Sequence, residues 1–295
     1  QTQKEKERER RCAGTTMTSH VDPGSSASSG PRKETLPWKR VPAKWLMFSP
    51  LSEPVLDTHL IPTKVPLREA YHDALSRKST LSQIQDRDRK ELEQKKEPFW
   101  EVPLDANYKW DVRDLLALHA AEGRRVAMIV DLSFAGRGVY YDPKEVNLGD
   151  VRKVVELPAA PGHRQPGKAP CLMEFGAEEE ESPPVFRYLR LPCSRGASPE
   201  QYYRLFRDTI NLVLEEDPDN HIVVHCTHGV NRTGYFVVRF LMERHPHLTL
   251  QEGIELFAAA RGYEISNEDI LTSLQRKFGS RPAAAAGGGG GSVSL

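Results

Sequence analysis

Ten consecutive residues hold the groups with which this chain could do chemistry: His225-Cys226-Thr227-His228-Gly229-Val230-Asn231-Arg232-Thr233-Gly234. A β-branched run at residues 222–224 precedes them and an apolar pattern with helical spacing follows, which predicts a strand, a loop and a helix. The backbone N–H groups of residues 227–232 can turn inward, and the helix presents its positive end to the same point. The segment therefore predicts a phosphate-binding loop formed by Thr227, His228, Gly229, Val230, Asn231 and Arg232.

Cys226, Arg232 and Thr233 have the side chains needed to attack such a phosphate. The thiol of Cys226 enters the positive field from the strand end, so we expect it to ionise below its usual pKa of about 8.5 and to act as a nucleophile. Arg232 returns to the same centre from the first helical turn and can hold two phosphate oxygens in its planar fork. Thr233 can donate its hydroxyl to the sulfur, which favours departure of the thiolate when water breaks a phospho-cysteine intermediate.

The remaining polar residues of the loop are expected to support it. Asn231, and His225 from behind, are expected to pin the loop by side-chain hydrogen bonds, and His228 is expected at its rim rather than as a second catalytic base. The alternative is that Cys226 is a buried structural cysteine, as free cysteines often are, with Arg232 on the surface. The number of specified positions in this short segment argues against that alternative.

The string His-Cys-x-x-Gly-x-x-Arg-Thr-Gly resembles the signature of the cysteine-dependent phosphatase superfamily, which includes protein tyrosine phosphatases, dual-specificity phosphatases and RNA-directed relatives. Its full form, His-Cys-Thr-His-Gly-x-Asn-Arg-Thr-Gly-Tyr, resembles the branch that removes phosphates from RNA 5′ ends. The resemblance implies a phospho-cysteine mechanism with no cofactor and no metal, and 5′-phosphorylated RNA as the partner. It also extends to residues 58–67, which are expected to form an apolar-Pro-Leu turn, and to residues 133–141, where Arg137 is a candidate contact for the distal phosphates. A surface arginine is the alternative for Arg137.

The patterns along the chain predict a single α/β domain with a central, mostly parallel sheet flanked by helices on both faces. Strands are expected in the apolar segments, and helices where the spacing is helical and bounded by caps. Ser198 and Ser266 are expected as N-caps, and Thr249 with Glu252 as a capping box. The strands are expected at 126–132, 151–157, 185–191 and 222–226, and the helices at 110–122, 199–214, 250–261 and 267–278.

The segment after the third of these strands separates two functions. Protein-directed members of the superfamily are expected to carry an aspartic acid there, which protonates the departing alkoxide or phenolate. This chain has no acid between Arg187 and Ser198, and Glu200 is the next one. General acid catalysis contributes typically about 10²–10⁴-fold, and a pyrophosphate-type leaving group departs as a stabilised anion without it. The missing acid therefore favours RNA 5′ ends over phosphoproteins.

Composition predicts tails and insertions around one catalytic domain at residues 37–278. Residues 1–36 combine a charge run with a Gly/Ser-rich stretch, and residues 279–295 form an Ala/Gly tract, so both are expected to be disordered. Insertions are expected at about 76–98 and 158–184, the second as a loop rich in proline, glycine and acid. The chain begins at Gln1, so residues before it are expected to be missing.

Charge and cysteine content bear on the partner of the protein and on the cellular compartment in which it works. Lys+Arg and Asp+Glu are equal at 41, so no overall basic field indicates nucleic acid, although gripping one triphosphate end requires only local charge. The four cysteines lack paired metal-ligand spacing, and a thiolate nucleophile requires a reducing compartment. We therefore expect a monomer in the nucleus or cytoplasm, with the nucleus favoured, and no membrane segment. The alternatives are a dual-specificity protein phosphatase, with phosphoprotein as partner, and a catalytically silent phosphate-binding scaffold.

Overall fold

The computed structural model describes residues 45, 48–68, 110–134, 140–146, 151–157, 169–176, 186–194 and 200–280, which all belong to one compact unit. The strands are β1 (Leu60–Lys64), β2 (Arg125–Asp131), β3 (Val151–Glu156), β4 (Cys171–Phe175), β5 (Phe186–Arg190) and β6 (Asn220–Cys226). The helices are α1 (Val112–Ala121), α2 (Glu200–Glu216), α3 (Asn231–Arg244), α4 (Leu250–Arg261) and α5 (Glu268–Phe278), with a short 3-10 helix at Pro143–Val146.

The strands form one six-stranded sheet in the order β1-β6-β2-β5-β4-β3. The neighbouring strands β1, β6, β2 and β5 run parallel to one another. The pairs β5–β4 and β4–β3 are antiparallel. Apolar residues of α2 to α5 pack on one face and those of α1 on the other. The predicted fold class, a single α/β domain with a mostly parallel sheet and helices on both faces, is confirmed.

The strand β6 lies inside the sheet and is covered on both faces. Val224 belongs to the core beneath α2 to α5, whereas Val223 belongs to the core beneath α1. Continuous burial on both faces explains why this strand is a run of apolar residues rather than an alternating one. The strand continues through His225 and ends at Cys226, where the loop begins.

Two segments differ from the predictions. Residues 60–64 are not a turn but the edge strand β1, which pairs with β6 in the register Lys64↔Cys226. Pro62 is compatible with that position because an edge strand leaves one side of its backbone unpaired. Within the predicted loop 158–184, residues 171–175 form β4, whose alternate residues Cys171, Met173 and Phe175 are buried between β3 and β5. Five alternating residues between acidic and glycine-rich stretches give too short a signal to outweigh the composition around them.

The helix caps match the predictions in part. Thr249 and Glu252 form the predicted capping box of α4. The cap of α5 is Asn267, whose side chain accepts from the N–H of Ile270, and not Ser266 as predicted. The predicted cap Ser198 lies outside the described residues, as do Arg137, residues 1–36, the insertion 76–98 and residues 281–295.

Candidate active site

The loop predicted to bind phosphate lies between β6 and α3, at the edge of the sheet where the parallel strands end. Both neighbouring strands continue their hydrogen bonding into it, since Val65 N–H donates to Thr227 O at 3.3 Å and Leu132 N–H donates to His225 O at 2.7 Å. The carboxyl edge of parallel strands is where open α/β sheets bind ligands. The geometry therefore places the loop at the expected binding edge.

Gly229 determines how closely the loop approaches β1. Its φ of +71° is a left-handed conformation that other residues rarely adopt. A Cβ atom at this position would lie 2.1 Å from Thr63 O and 2.8 Å from Lys64 N. Only glycine allows this contact between the loop and the strand.

Cys226 sits at the base of the loop and is almost fully buried. Burial acts to raise the pKa of its thiol, but the charge of Arg232 and hydrogen bonds from Thr233 and from the His228 N–H outweigh it, so the pKa lies below its ordinary value. The thiolate is the nucleophilic form of cysteine. The site therefore favours the reactive form even though it is enclosed.

Arg232 and Thr233 stand beside the sulfur. The Arg232 guanidinium donates to Leu132 O at 3.0 Å and to Cys193 O at 2.8 Å from one nitrogen, and to Thr227 Oγ1 at 3.2 Å from the other. These bonds hold the planar group over the ends of the neighbouring strands. Thr233 is fully buried, and its hydroxyl has no conventional partner among the described residues apart from the sulfur, whose pKa it lowers.

Asn231 links the loop to the connection between α4 and α5. Its Oδ1 accepts from the N–H of Ser266 at 2.8 Å and from the N–H of Asn267 at 3.0 Å. Its Nδ2 donates to Ser266 Oγ at 3.3 Å. Val230 continues this end of the loop into the helix, because its carbonyl accepts from Gly234 N–H at 2.7 Å. The start of α3 is thereby tied to a second element of the fold.

His225 is buried behind the loop. Its Nε2 lies 2.7 Å from the hydroxyl of Tyr141, and its Nδ1 lies 3.4 Å from Cys226 O and 3.7 Å from Asp131 Oδ1. Burial lowers the pKa of His225, so the ring is neutral near pH 7. A neutral ring that accepts from Tyr141 directs its remaining proton toward the Cys226 carbonyl and Asp131. This orientation supports the backbone that carries Cys226.

Arg261 is a site residue that sequence reasoning missed. Its guanidinium is 1% exposed and donates to His228 O at 3.0 Å and to Gly229 O at 3.2 Å. Burial lowers its pKa from 12.5 to about 10. By holding these two carbonyls away from the centre of the loop, Arg261 leaves the adjacent N–H groups free to face it. A basic residue in the last turn of a helix is common, so its sequence position carried no signal for this role.

Lys64 is a second buried cation behind the loop. Its Nζ lies 3.6 Å from the centroid of the Trp45 ring and donates to Trp45 O at 3.4 Å. Burial, and then the charge of Arg261, lower its pKa from 10.5 to about 7. The residue follows Thr63 at the end of β1, and no local pattern distinguishes it from an exposed lysine. Arg261, and Lys64 when it is protonated, give the back of the loop a positive field.

Glu200 is the first acid after the acid-free segment 187–198. The carboxylate of Glu200 accepts from Tyr235 Oη at 2.6 Å and pairs with Arg239 and, at 3.3 Å, with Lys277. Burial acts to raise its pKa, but the Tyr235 hydrogen bond and the Arg239 charge outweigh it and lower the pKa. Glu200 is therefore ionised and bound within a network that joins α2, α3 and α5.

Asp131, the last residue of β2, is also held by hydrogen bonds. Asp131 is 4% exposed and accepts from Ser133 N–H and from Tyr188 Oη, each at 2.7 Å. Burial acts to raise its pKa, but the surrounding positive charge and the hydrogen bonds from Ser133 and Tyr188 outweigh it, so the pKa lies below its ordinary value. The thiol of Cys193, which follows β5, is buried with a pKa raised by burial to about 12, so it is neutral.

The described part of the chain contains no group of three or more His, Cys, Asp or Glu residues that could hold a metal ion. None of its helices is both long and apolar enough to cross a membrane.

Residues 177–278 match the family described as dual specificity phosphatase, catalytic domain. The chain is 24% identical over 239 residues to the RNA/RNP complex-1-interacting phosphatase of Bos taurus, covering 80% of this chain and 51% of that protein. It is 23% identical over 256 residues to the Caenorhabditis elegans homolog of that phosphatase, covering 83% and 82%. The chain thus spans about half the length of its cattle relative.

The chain is also similar to part of an mRNA-capping enzyme and to a solved phosphatase structure. Over 95 residues the chain is 34% identical to the mRNA-capping enzyme of Danio rerio, covering 32% of this chain and 16% of that enzyme. The crystal structure of human DUSP28 matches with a TM-score of 0.34 and 16% identity, covering 57% of this chain and 82% of that one. The family match over residues 177–278 supports the predicted resemblance of the chain to the cysteine-dependent phosphatase superfamily, a class of hydrolases. The relatives confirm its resemblance to the RNA triphosphatase branch of that superfamily.

Proposed function

We propose that this protein removes terminal phosphate from RNA with a 5′ triphosphate or diphosphate end, without a metal ion. The Cys226 thiolate attacks the terminal phosphorus, an S–P bond forms, and the P–O bond to the remaining phosphates breaks. Arg232 and the loop N–H groups stabilise the transferring group. Water then attacks phosphorus, the S–P bond breaks with help from the Thr233 hydroxyl, and orthophosphate leaves.

The observation that carries the proposal is that the segment after β5 contains no acidic residue to act as a general acid. No Asp or Glu occurs between Arg187 and Ser198, and Glu200 is held ionised by its partners. Asp131 is buried behind the loop with a lowered pKa. Expulsion of an alkoxide demands a proton, whereas a phosphate or pyrophosphate group leaves as a stabilised anion. The site therefore suits an anhydride substrate better than a phosphoprotein.

The names of the relatives also support RNA as the substrate. The cattle and nematode proteins are named for an RNA/RNP complex, and the zebrafish protein is an mRNA-capping enzyme. We further propose that the catalytic domain spans residues 37–278, that Arg137 contacts the distal phosphates, and that the protein acts as a monomer. A thiolate nucleophile functions in a reducing compartment, which supports the nucleus or the cytoplasm.

The family match favours a second candidate, a dual-specificity protein phosphatase. One experiment separates the two: phosphate release from triphosphate-ended RNA and from a phosphotyrosine peptide, measured with a chelator present. We expect kcat/KM for RNA to exceed that for the peptide by at least the ~10²-fold that a general acid normally supplies. Comparable values on the two substrates would overturn the RNA proposal in favour of the protein phosphatase.

A variant makes this experiment sharper. Ser194→Asp introduces a carboxyl group into the segment after β5, and we expect it to raise activity on the peptide with little effect on RNA. The pH profile gives an independent check, because the wild-type rate on RNA should lack the falling limb at higher pH that titration of an essential acid produces. A falling limb with RNA would show that an acid acts in the reaction.

A further inference from the structure

Three aromatic rings stand together where the loop meets the lead-in to β1. His228, which belongs to the loop, stacks on Phe48 with a centroid distance of 5.1 Å and an interplanar angle of 29°. Tyr263, which follows α4, meets Phe48 edge-on at 4.8 Å. All three residues are partly exposed. We call Phe48, His228 and Tyr263 the aromatic rim.

The rim is fixed to the same scaffold as the loop. The Tyr263 hydroxyl accepts from Ser49 N–H at 2.8 Å, which joins the rim to the lead-in segment. Arg261 donates to His228 O at 3.0 Å and to Ser49 O at 2.9 Å, and its guanidinium lies 4.9 Å from the Tyr263 ring. One buried cation thus holds the carbonyls of His228 and Ser49 and lies against the Tyr263 ring. The rings therefore have defined positions relative to the phosphate-binding loop.

A cluster of partly exposed aromatic rings beside a binding loop is a candidate contact for a ligand. In the proposed reaction the phosphate groups contact the sulfur of Cys226 and the loop backbone. None of these contacts involves the three rings. An RNA end carries a nucleoside behind its phosphates, and single-stranded RNA is commonly recognised by stacking its bases on aromatic side chains. The positive field of Arg261 beneath the rim suits a ligand whose ring is attached to phosphates.

We propose that the aromatic rim binds the 5′-terminal nucleoside of the RNA by stacking and so determines the preference for RNA over other phosphoric anhydrides. This inference rests on the proposed function and adds the part of the substrate that the phosphate loop does not contact. Phe48 is the central residue, since it touches both of the other rings. Stacking on an aromatic face tolerates any base, so the rim should not select the identity of the first nucleotide.

The test compares two substrates that differ in the nucleoside: triphosphate-ended RNA and inorganic tripolyphosphate. Phe48→Leu removes the aromatic face while keeping an apolar side chain, and Phe48→Tyr is the matched control that keeps the ring. We expect Phe48→Leu to lower the ratio of kcat/KM for RNA to kcat/KM for tripolyphosphate by roughly 10-fold, within the range that loss of one base stack produces. Phe48→Tyr should preserve the wild-type ratio.

The other outcomes overturn the inference. An equal loss on both substrates would show that Phe48 only supports the loop, and an unchanged ratio would show that the nucleoside lies elsewhere. A loss confined to a phosphotyrosine peptide would assign the rim to protein substrates. Binding of triphosphate-ended RNA to Cys226→Ser, with and without Phe48→Leu, separates this inference from the proposed function. If the wild-type enzyme has no activity on RNA, the proposed function fails. If adding Phe48→Leu to Cys226→Ser leaves the binding of RNA unchanged, the inference about the aromatic rim fails as well.

Discussion

Replacing Gly229 by alanine tests whether the shape of the phosphate-binding loop depends on its contact with β1. Two costs arise, and they can be separated. A non-glycine residue in the left-handed region costs about 1–2 kcal/mol. In addition, the new Cβ would lie 2.1 Å from Thr63 O, whereas real Cβ contacts essentially never fall below 3.0 Å. The obstructing atoms are backbone, so the loop must move away from the strand.

Gly123 provides the control. It has a φ of +74°, close to the +71° of Gly229, but a Cβ there would meet nothing within 4 Å. Gly123→Ala therefore incurs only the conformational cost. The difference between the two variants isolates the clash, which as overpacking is expected to destabilise the fold by about 1–3 kcal/mol more.

The catalytic effect should exceed the effect on stability. The contact must lengthen by about 1 Å, and a misplacement of that size can lower the rate about 10²-fold. We expect kcat of Gly229→Ala on p-nitrophenyl phosphate to fall by that order and kcat of Gly123→Ala to stay within about twofold of wild type, with unfolding free energies measured in urea for both. If Gly229→Ala matched Gly123→Ala in both kcat and stability, the contact with β1 would not shape the loop.

Three further variants address the reaction centre. Cys226→Ser should abolish turnover while retaining affinity for inorganic phosphate in calorimetry, because backbone amides and Arg232 form the cradle; residual turnover would contradict a covalent intermediate. Arg232→Lys should lower kcat by about 10²-fold or more, since a point charge does not reproduce the planar fork, and a near-normal rate would show that Arg232 does not contact the phosphate. Lys64→Met tests the buried lysine. The pKa of Lys64 is about 7 in the fold and 10.5 as its ordinary value, so between these pH values the unfolded chain binds more protons than the folded chain. The free energy of unfolding of the wild type should therefore rise with pH across that window. Urea unfolding at several pH values should show this rise in wild type and a flatter profile in Lys64→Met, and equal slopes would mean that Lys64 is not the titrating group.

Much of the site could be predicted because it is local in the chain. Cys226, Arg232 and Thr233 lie within a few residues of one another, so a strand, a turn and a helix are enough to bring them together. The same holds for the capping box of Thr249 and Glu252, whose hydrogen bonds join residues three apart. The fold class followed from apolar runs of strand length alternating with helical spacing, which each segment displays without reference to its neighbours.

Only the tertiary structure decided what lies against the loop. Lys64, Arg261 and Phe48 come from distant parts of the chain, and in sequence each resembles an ordinary strand-end, helix-end or linker residue. Their roles depend on strand order and register, as in the pairing Lys64↔Cys226, and on burial that no local pattern encodes. The strand β4 was missed for the same reason, since its five residues become a strand only between β3 and β5. Local pattern predicted which groups could react, whereas long-range packing decided which charges and rings surround them.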